Sequence, residues 1–160
     1  MQAPPAVEGM LLHGILHRAE GDFNNARAWV SDVEDACEGF QPKKREEETR
    51  LEDEVFEKVQ SGNAIRDSLI SYVYKSESPT QLIDDVEAFR SKKASERTNG
   101  EEEDIEDRIR KEAGKVLEWC TSKFGAGAWT DATKAWVKNS EEISKMSGDM
   151  ISGGKGYREF

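Results

Sequence analysis

The sequence predicts an all-α protein, an irregular helical bundle opened by an αα-hairpin. Three observations lead there. Apolar residues recur at three- and four-residue spacing along most of the chain, the period of a helix with one buried face. Helix stop and start signals punctuate that pattern at Gly21–Asp22, Ser78–Pro79, Asn99–Gly100 and Gly125. Charged residues make up 35% of the chain and apolar ones 36%, which suits helices burying one stripe each better than a deep multilayer core.

The first element runs to Glu20, with Leu11, Leu12, Ile15 and Leu16 as its apolar positions. Gly21 suits a left-handed helix end because it has no Cβ to clash. Asp22 is placed to cap the next helix, where the dipole favours its charge. Ala26, Trp29, Val30 and Val33 then form the inner stripe of a second helix, so tight a corner making the pair an αα-hairpin. Leu51, Val55, Phe56 and Val59 give a third stripe within charged surroundings. After Gly62 and Asn63, the segment Ile65, Leu69, Ile70, Tyr72 and Val73 reads as a more fully buried helix.

Ser78, Pro79 and Gln81 are spaced as cap, first helical residue and capping-box partner, ahead of the stripe Leu82, Ile83, Val86 and Phe89. Residues 92–104 are almost wholly polar and contain Asn99–Gly100, which predicts an exposed, mobile connection. The acids from Glu101 to Asp104 open a long helix whose expected inner face is Ile105, Ile109, Ala113, Val116, Leu117 and Cys120. Past the corner at Gly125–Gly127, Trp136, Val137, Ile143 and Met146 mark a last helix, and Trp119, Trp129 and Trp136 are expected to gather as an aromatic cluster. The pattern gives about six or seven helices. Residues 1–150 are expected to form one domain, and 151–160 a Gly-rich tail in which Tyr157 and Phe160 supply docking groups.

The hairpin carries a local resemblance. Gly14, Gly21, Phe23 and Ala26 stand at the spacing of small and aromatic positions in a tetratricopeptide repeat, over about one repeat unit. His13 and His17 occupy the places of that pattern's Leu and Tyr. The string from His13 to Trp29 also resembles a motif, HGxxHRxExDxxNAxxW, of small helical proteins of fungi and bacteria. That resemblance implies a helical relative and brings no reaction with it.

Charge and composition narrow the function. A net charge of -10 argues against nucleic acid and against an anionic membrane, and the basic runs at Lys43–Arg45 and Lys92–Lys93 sit among acids. No apolar run approaches a membrane span, and Met1 to Pro5 does not open a signal peptide. The expectation is a soluble cytoplasmic protein, with Cys37 and Cys120 as unbridged thiols.

The chain has two histidines, His13 and His17, one helical turn apart with Glu20 on the same face. Two imidazoles and a carboxylate there are of the right chemistry to hold a divalent cation such as zinc, which would acidify a bound water. Gly14 stands where the H-E-x-x-H motif has its general base, so that motif is absent. The same residues suit polar-tipped packing in the core, which is the more ordinary use of such positions. Arg18 is read either as a cap for helix-end carbonyls or as a bidentate ligand for carboxylate or phosphate. Asn25 is read as a first-turn residue able to reach back to the histidines. The leading expectation is therefore a protein that binds a small molecule or a protein partner through His13, His17, Arg18, Glu20 and Asn25. A metal-dependent hydrolase using His13, His17 and Glu20, and a helical scaffold with no small-molecule site, are the alternatives.

Overall fold

The computed structural model describes residues 6–42, 49–60 and 67–127. The chain divides into two compact units, Met1–Ala126 and Gly127–Phe160. The expected boundary at residue 150, the last helix, Trp129 and Trp136, the tail, and Gly62, Asn63 and Ile65 lie outside the described residues. Within the first unit the helices are α1 (Val7–Glu20), α2 (Phe23–Cys37), α3 (Asp53–Gln60), α4 (Leu69–Tyr74), α5 (Pro79–Ser91) and α6 (Asn99–Phe124). The described residues contain no strand, only an isolated antiparallel bridge between Phe40 and Arg50. The all-α class and the opening hairpin are as the sequence predicts. No described helix is long and apolar enough to cross a membrane.

The α1–α2 corner forms as its residues require. Gly21 sits at φ 89°, ψ 10°. Its N–H donates to the Arg18 carbonyl at 3.2 Å, and the Asp22 N–H donates to the His17 carbonyl at 2.9 Å. These two bonds are the Schellman pair that satisfies carbonyls a helix end leaves open. The Asp22 carboxylate accepts the backbone N–H of Asn25 at 3.3 Å and its side-chain amide at 2.6 Å. Those two bonds hold the Asp22 carboxyl below its ordinary range. The two helices then approach closely, because a Cβ on Gly14 would lie 3.3 Å from the Trp29 Cβ and 3.4 Å from the Ala26 carbonyl.

The buried stripe of α1 is not the expected one. Val7, Leu11, Gly14 and Arg18 face inward, whereas Leu12 and Leu16 are about half exposed. The stripe turns because Gly14 is the residue that admits α2, and because Arg18, one turn on, has a buried partner. In α2 the inner face is Ala26, Val30, Val33 and Ala36, with Trp29 only half-buried. Gly39, at φ 89°, ends this helix with the same pair of bonds, from Gly39 N–H to Ala36 and from Phe40 N–H to Asp35.

α2 is the centre of the bundle and packs against α1, α3, α4 and α5, while α6 lies on α4 and α5. The core gathers Val7, Leu11, Val33, Val55, Leu69, Ile83 and Trp119, each at most 1% exposed. Leu51, Val55 and Val59 point inward as expected, as do Leu82, Ile83 and Val86. Pro79 takes the first turn of α5, but the capping box at Ser78 does not form. The Ser78 hydroxyl instead pairs with Thr80 at 2.8 Å, and Gln81 reaches forward to Asp85 at 3.0 Å.

The polar segment 92–104 also departs from expectation. It holds a short 3-10 turn at Ala94–Glu96, and α6 begins at Asn99, so Asn99–Gly100 is a first turn and not a break. Thr98 supplies the box that Ser78 does not. Its hydroxyl accepts the Glu101 N–H at 3.3 Å while the Glu101 carboxylate accepts the Thr98 N–H at 3.4 Å. Arg97 ties the turn back to α5 through the Arg90 carbonyl at 2.8 Å.

α6 carries the largest correction. Leu117 is 68% exposed and Ala113 is exposed, whereas Glu112, Val116 and Trp119 are buried. The inner face therefore runs Ile105, Ile109, Glu112, Val116, Trp119, with a carboxylate at its middle. Trp119 is a core residue whose ring lies 5.8 Å from that of Tyr72. Cys37 and Cys120 are unbridged, and burial pushes both thiols up.

Candidate functional site: a cleft beside a buried ion pair

The burial of Glu112 is explained by what meets it. Arg18 from α1 donates through Nη1 to Glu112 Oε1 at 2.9 Å and through Nη2 to Oε2. Tyr74, the last residue of α4, donates its hydroxyl to Glu112 Oε1 at 2.6 Å. Arg18 is 4% exposed, Glu112 5% and Tyr74 9%, so this is a bidentate, charge-assisted pair removed from water and joined by a third hydrogen bond. Burial, and then the negative charge of Glu112, push the Tyr74 hydroxyl far above its ordinary range, which keeps it a proton donor. A second buried anchor joins the other ends of the same two helices. Glu8 Oε1 accepts from Trp119 Nε1 at 2.9 Å and from Lys123 Nζ at 2.8 Å.

Above the Glu112 cluster opens a cleft of about 550 Å³ between α4, the α4–α5 turn and α6. Val73, Tyr74 and Leu82 supply apolar wall, and Gly114 of α6 leaves room where a side chain would otherwise stand. Four cations line the cleft: Lys75, Arg108, Lys111 and Lys115. Two of them are engaged. Arg108 donates to Asp85 at 2.6 Å, and Lys115 to Glu118 at 3.0 Å. Lys75 and Lys111 have no carboxylate partner among the described residues.

Lys75 is also the one described non-glycine residue with positive φ, at φ 57° and ψ -114°. With the Glu77 N–H donating to the Tyr74 carbonyl at 3.0 Å, Tyr74–Glu77 is a type II′ turn with Lys75 at its first central position. That position belongs to glycine, and a side chain held there costs on the order of 1–3 kcal/mol.

The residues expected to form one site are divided. The His13 ring lies tilted against Trp29, at 4.4 Å between centroids, and against His17, at 4.8 Å. His17 Nδ1 stands 3.8 Å from both Glu20 Oε2 and Asp22 Oδ2 and makes no hydrogen bond, the one such buried side-chain atom among the described residues. No group of three or more His, Cys, Asp or Glu side chains among the described residues is placed to hold a metal ion. Arg18 points to the opposite side, into the bundle. Helix-end carbonyls of α1, those of Arg18 and Ala19, are met instead by Arg90 Nη1 at 3.3 and 3.1 Å. Asn25 is committed to Asp22, and Arg27 pairs with Asp84 and Glu87.

Sequence reasoning missed Tyr74, Lys75, Lys111 and Glu112. For Glu112 a signal existed: it fills a helical-period position between Ile109 and Val116, where an acid must find a buried partner. For Lys75 none did, since its backbone conformation is invisible in its residue type. In comparisons with known proteins, no family model, no curated protein and no solved structure matches this chain.

Proposed function

We propose that this is a small-molecule-binding helical protein whose ligand enters the cleft between α4, the α4–α5 turn and α6. The single observation that carries this reading is a concavity of about 550 Å³ with apolar walls and a fixed polar floor. Ligand sites of soluble proteins combine that size, apolar lining and a few convergent polar groups. Binding suits the floor better than catalysis does. Both oxygens of Glu112 are engaged by Arg18 and Tyr74, and Tyr74 is held in its neutral form. A general acid or base needs a proton it can exchange with substrate, and these groups are committed to one another.

A second place competes with the cleft. The corner bearing His13, His17 and Glu20 keeps one observation in its favour, the unpartnered and buried His17 Nδ1. A blocking substitution separates the two. A Cβ on Gly114 meets no atom within 4 Å, so Gly114→Trp fills the cleft without a backbone clash and replaces a poor helix former. The neutral dye N-phenylnaphthylamine should show saturable fluorescence enhancement with the parent and none with Gly114→Trp. Equal binding to both proteins would remove the cleft from consideration.

A further inference from the structure

We propose that the cleft takes an organic anion, an apolar body ending in a carboxylate, phosphate or sulfonate, and that Lys75 and Lys111 hold its charged end. This rests on the cleft being the binding site and adds the chemical class of what it binds. In a chain of net charge -10, four cations meet at one cleft, against the acids Glu77, Glu112 and Glu118. Glu112 is neutralised by Arg18 and Glu118 by Lys115, while Glu77 is the one cleft acid without an ion pair among the described residues and lies near Arg108, which Asp85 and Asp104 already engage. Among the described residues this leaves two ammonium groups on the rim with no carboxylate of their own. Both lysines are exposed, and an anion beside them gains charge-assisted hydrogen bonds that no internal acid already takes.

Lys75 adds an independent point. Its backbone occupies a glycine conformation in a tight turn, and that conformation sets its side chain at the mouth of the cleft. A strained residue kept at a concave site is the usual mark of a functional constraint. The apolar wall from Val73 and Leu82 then selects against small, fully hydrated anions such as inorganic phosphate, which would gain nothing from it.

The test uses two dyes that share an aromatic body and differ in charge, anilinonaphthalene sulfonate and neutral N-phenylnaphthylamine, titrated into the full chain and its variants. Lys75→Gly and Lys111→Ala should each weaken the sulfonate about five- to tenfold, leave the neutral dye unchanged, and flatten the salt dependence of sulfonate binding. Lys75→Gly should meanwhile raise the melting temperature by about 2–4 °C, because glycine relieves the turn. A stable variant that has lost the anion separates binding from folding. If both dyes bind the parent and neither lysine variant discriminates between them, the anion class is wrong and the cleft reading stands. If neither dye responds to Gly114→Trp, both fall.

Discussion

Replacing Arg18 with Ala is expected to lower the unfolding free energy by about 3–5 kcal/mol. The substitution leaves Glu112 buried with only the Tyr74 hydroxyl to support it. An unpaired carboxylate in that position cannot recover its lost hydration, and this penalty is what the measurement reads. Domains of this size have about 5–15 kcal/mol in total, so the variant approaches the edge of folding. The pair itself is not expected to be a net source of stability. Arg18→Met combined with Glu112→Leu avoids the desolvation of two ions but leaves the buried Tyr74 hydroxyl without its acceptor, at about 1–3 kcal/mol, so the double variant should return to about parental stability. Denaturant unfolding of the parent, the single and the double variant checks both statements. A single-variant loss below about 1 kcal/mol would mean that Arg18 and Glu112 are not a buried pair.

Trp119→Ala should cost about 3–5 kcal/mol by emptying the volume of a side chain that is 1% exposed. Trp119→Phe divides that loss. It keeps most of the apolar volume but removes the Nε1–H that Glu8 accepts at 2.9 Å, leaving Lys123 as the remaining partner. The expected cost of that change is about 1–3 kcal/mol. Thermal or denaturant unfolding followed by circular dichroism distinguishes the two variants. If Trp119→Phe proves as damaging as Trp119→Ala, the Nε1–H bond to Glu8 and not the packed volume holds the α1–α6 contact together.

The helices were legible because their local chemistry is strong. Gly21 and Asp22 announce a corner whatever surrounds them, and Leu82, Ile83 and Val86 can face only one way. The rotation of α1 and α6 was not legible, and the cause is the same in both. Each helix has two rival apolar stripes, Leu12–Leu16 against Leu11–Gly14 in the first and Ala113–Leu117 against Ile109–Val116 in the last. Residue type favours the stripe without charges. The fold takes the stripe with them, because Glu8 meets Trp119 and Lys123, and Arg18 meets Glu112, across 94 or more positions of sequence. No local pattern encodes a pairing so distant.

His13, His17 and Glu20 drew attention by residue type and spacing, and they do share the corner. Arg18 was named for the right chemistry, bidentate recognition of a carboxylate, but its carboxylate is internal. The residues that shape the cleft come from α4, the following turn, the first turn of α5 and α6. They converge only after the bundle is assembled.

The central claim is that the cleft beside Glu112, and not the His13–His17 corner, receives the ligand. Amide chemical-shift mapping with ¹⁵N-labelled protein during a titration of N-phenylnaphthylamine tests it most directly. The largest shifts should fall at residues 73–78 and 108–118, with His13, His17, Glu20 and Asn25 unmoved. Shifts centred on His13 to Asn25, with α6 silent, would contradict it and return the site to the hairpin.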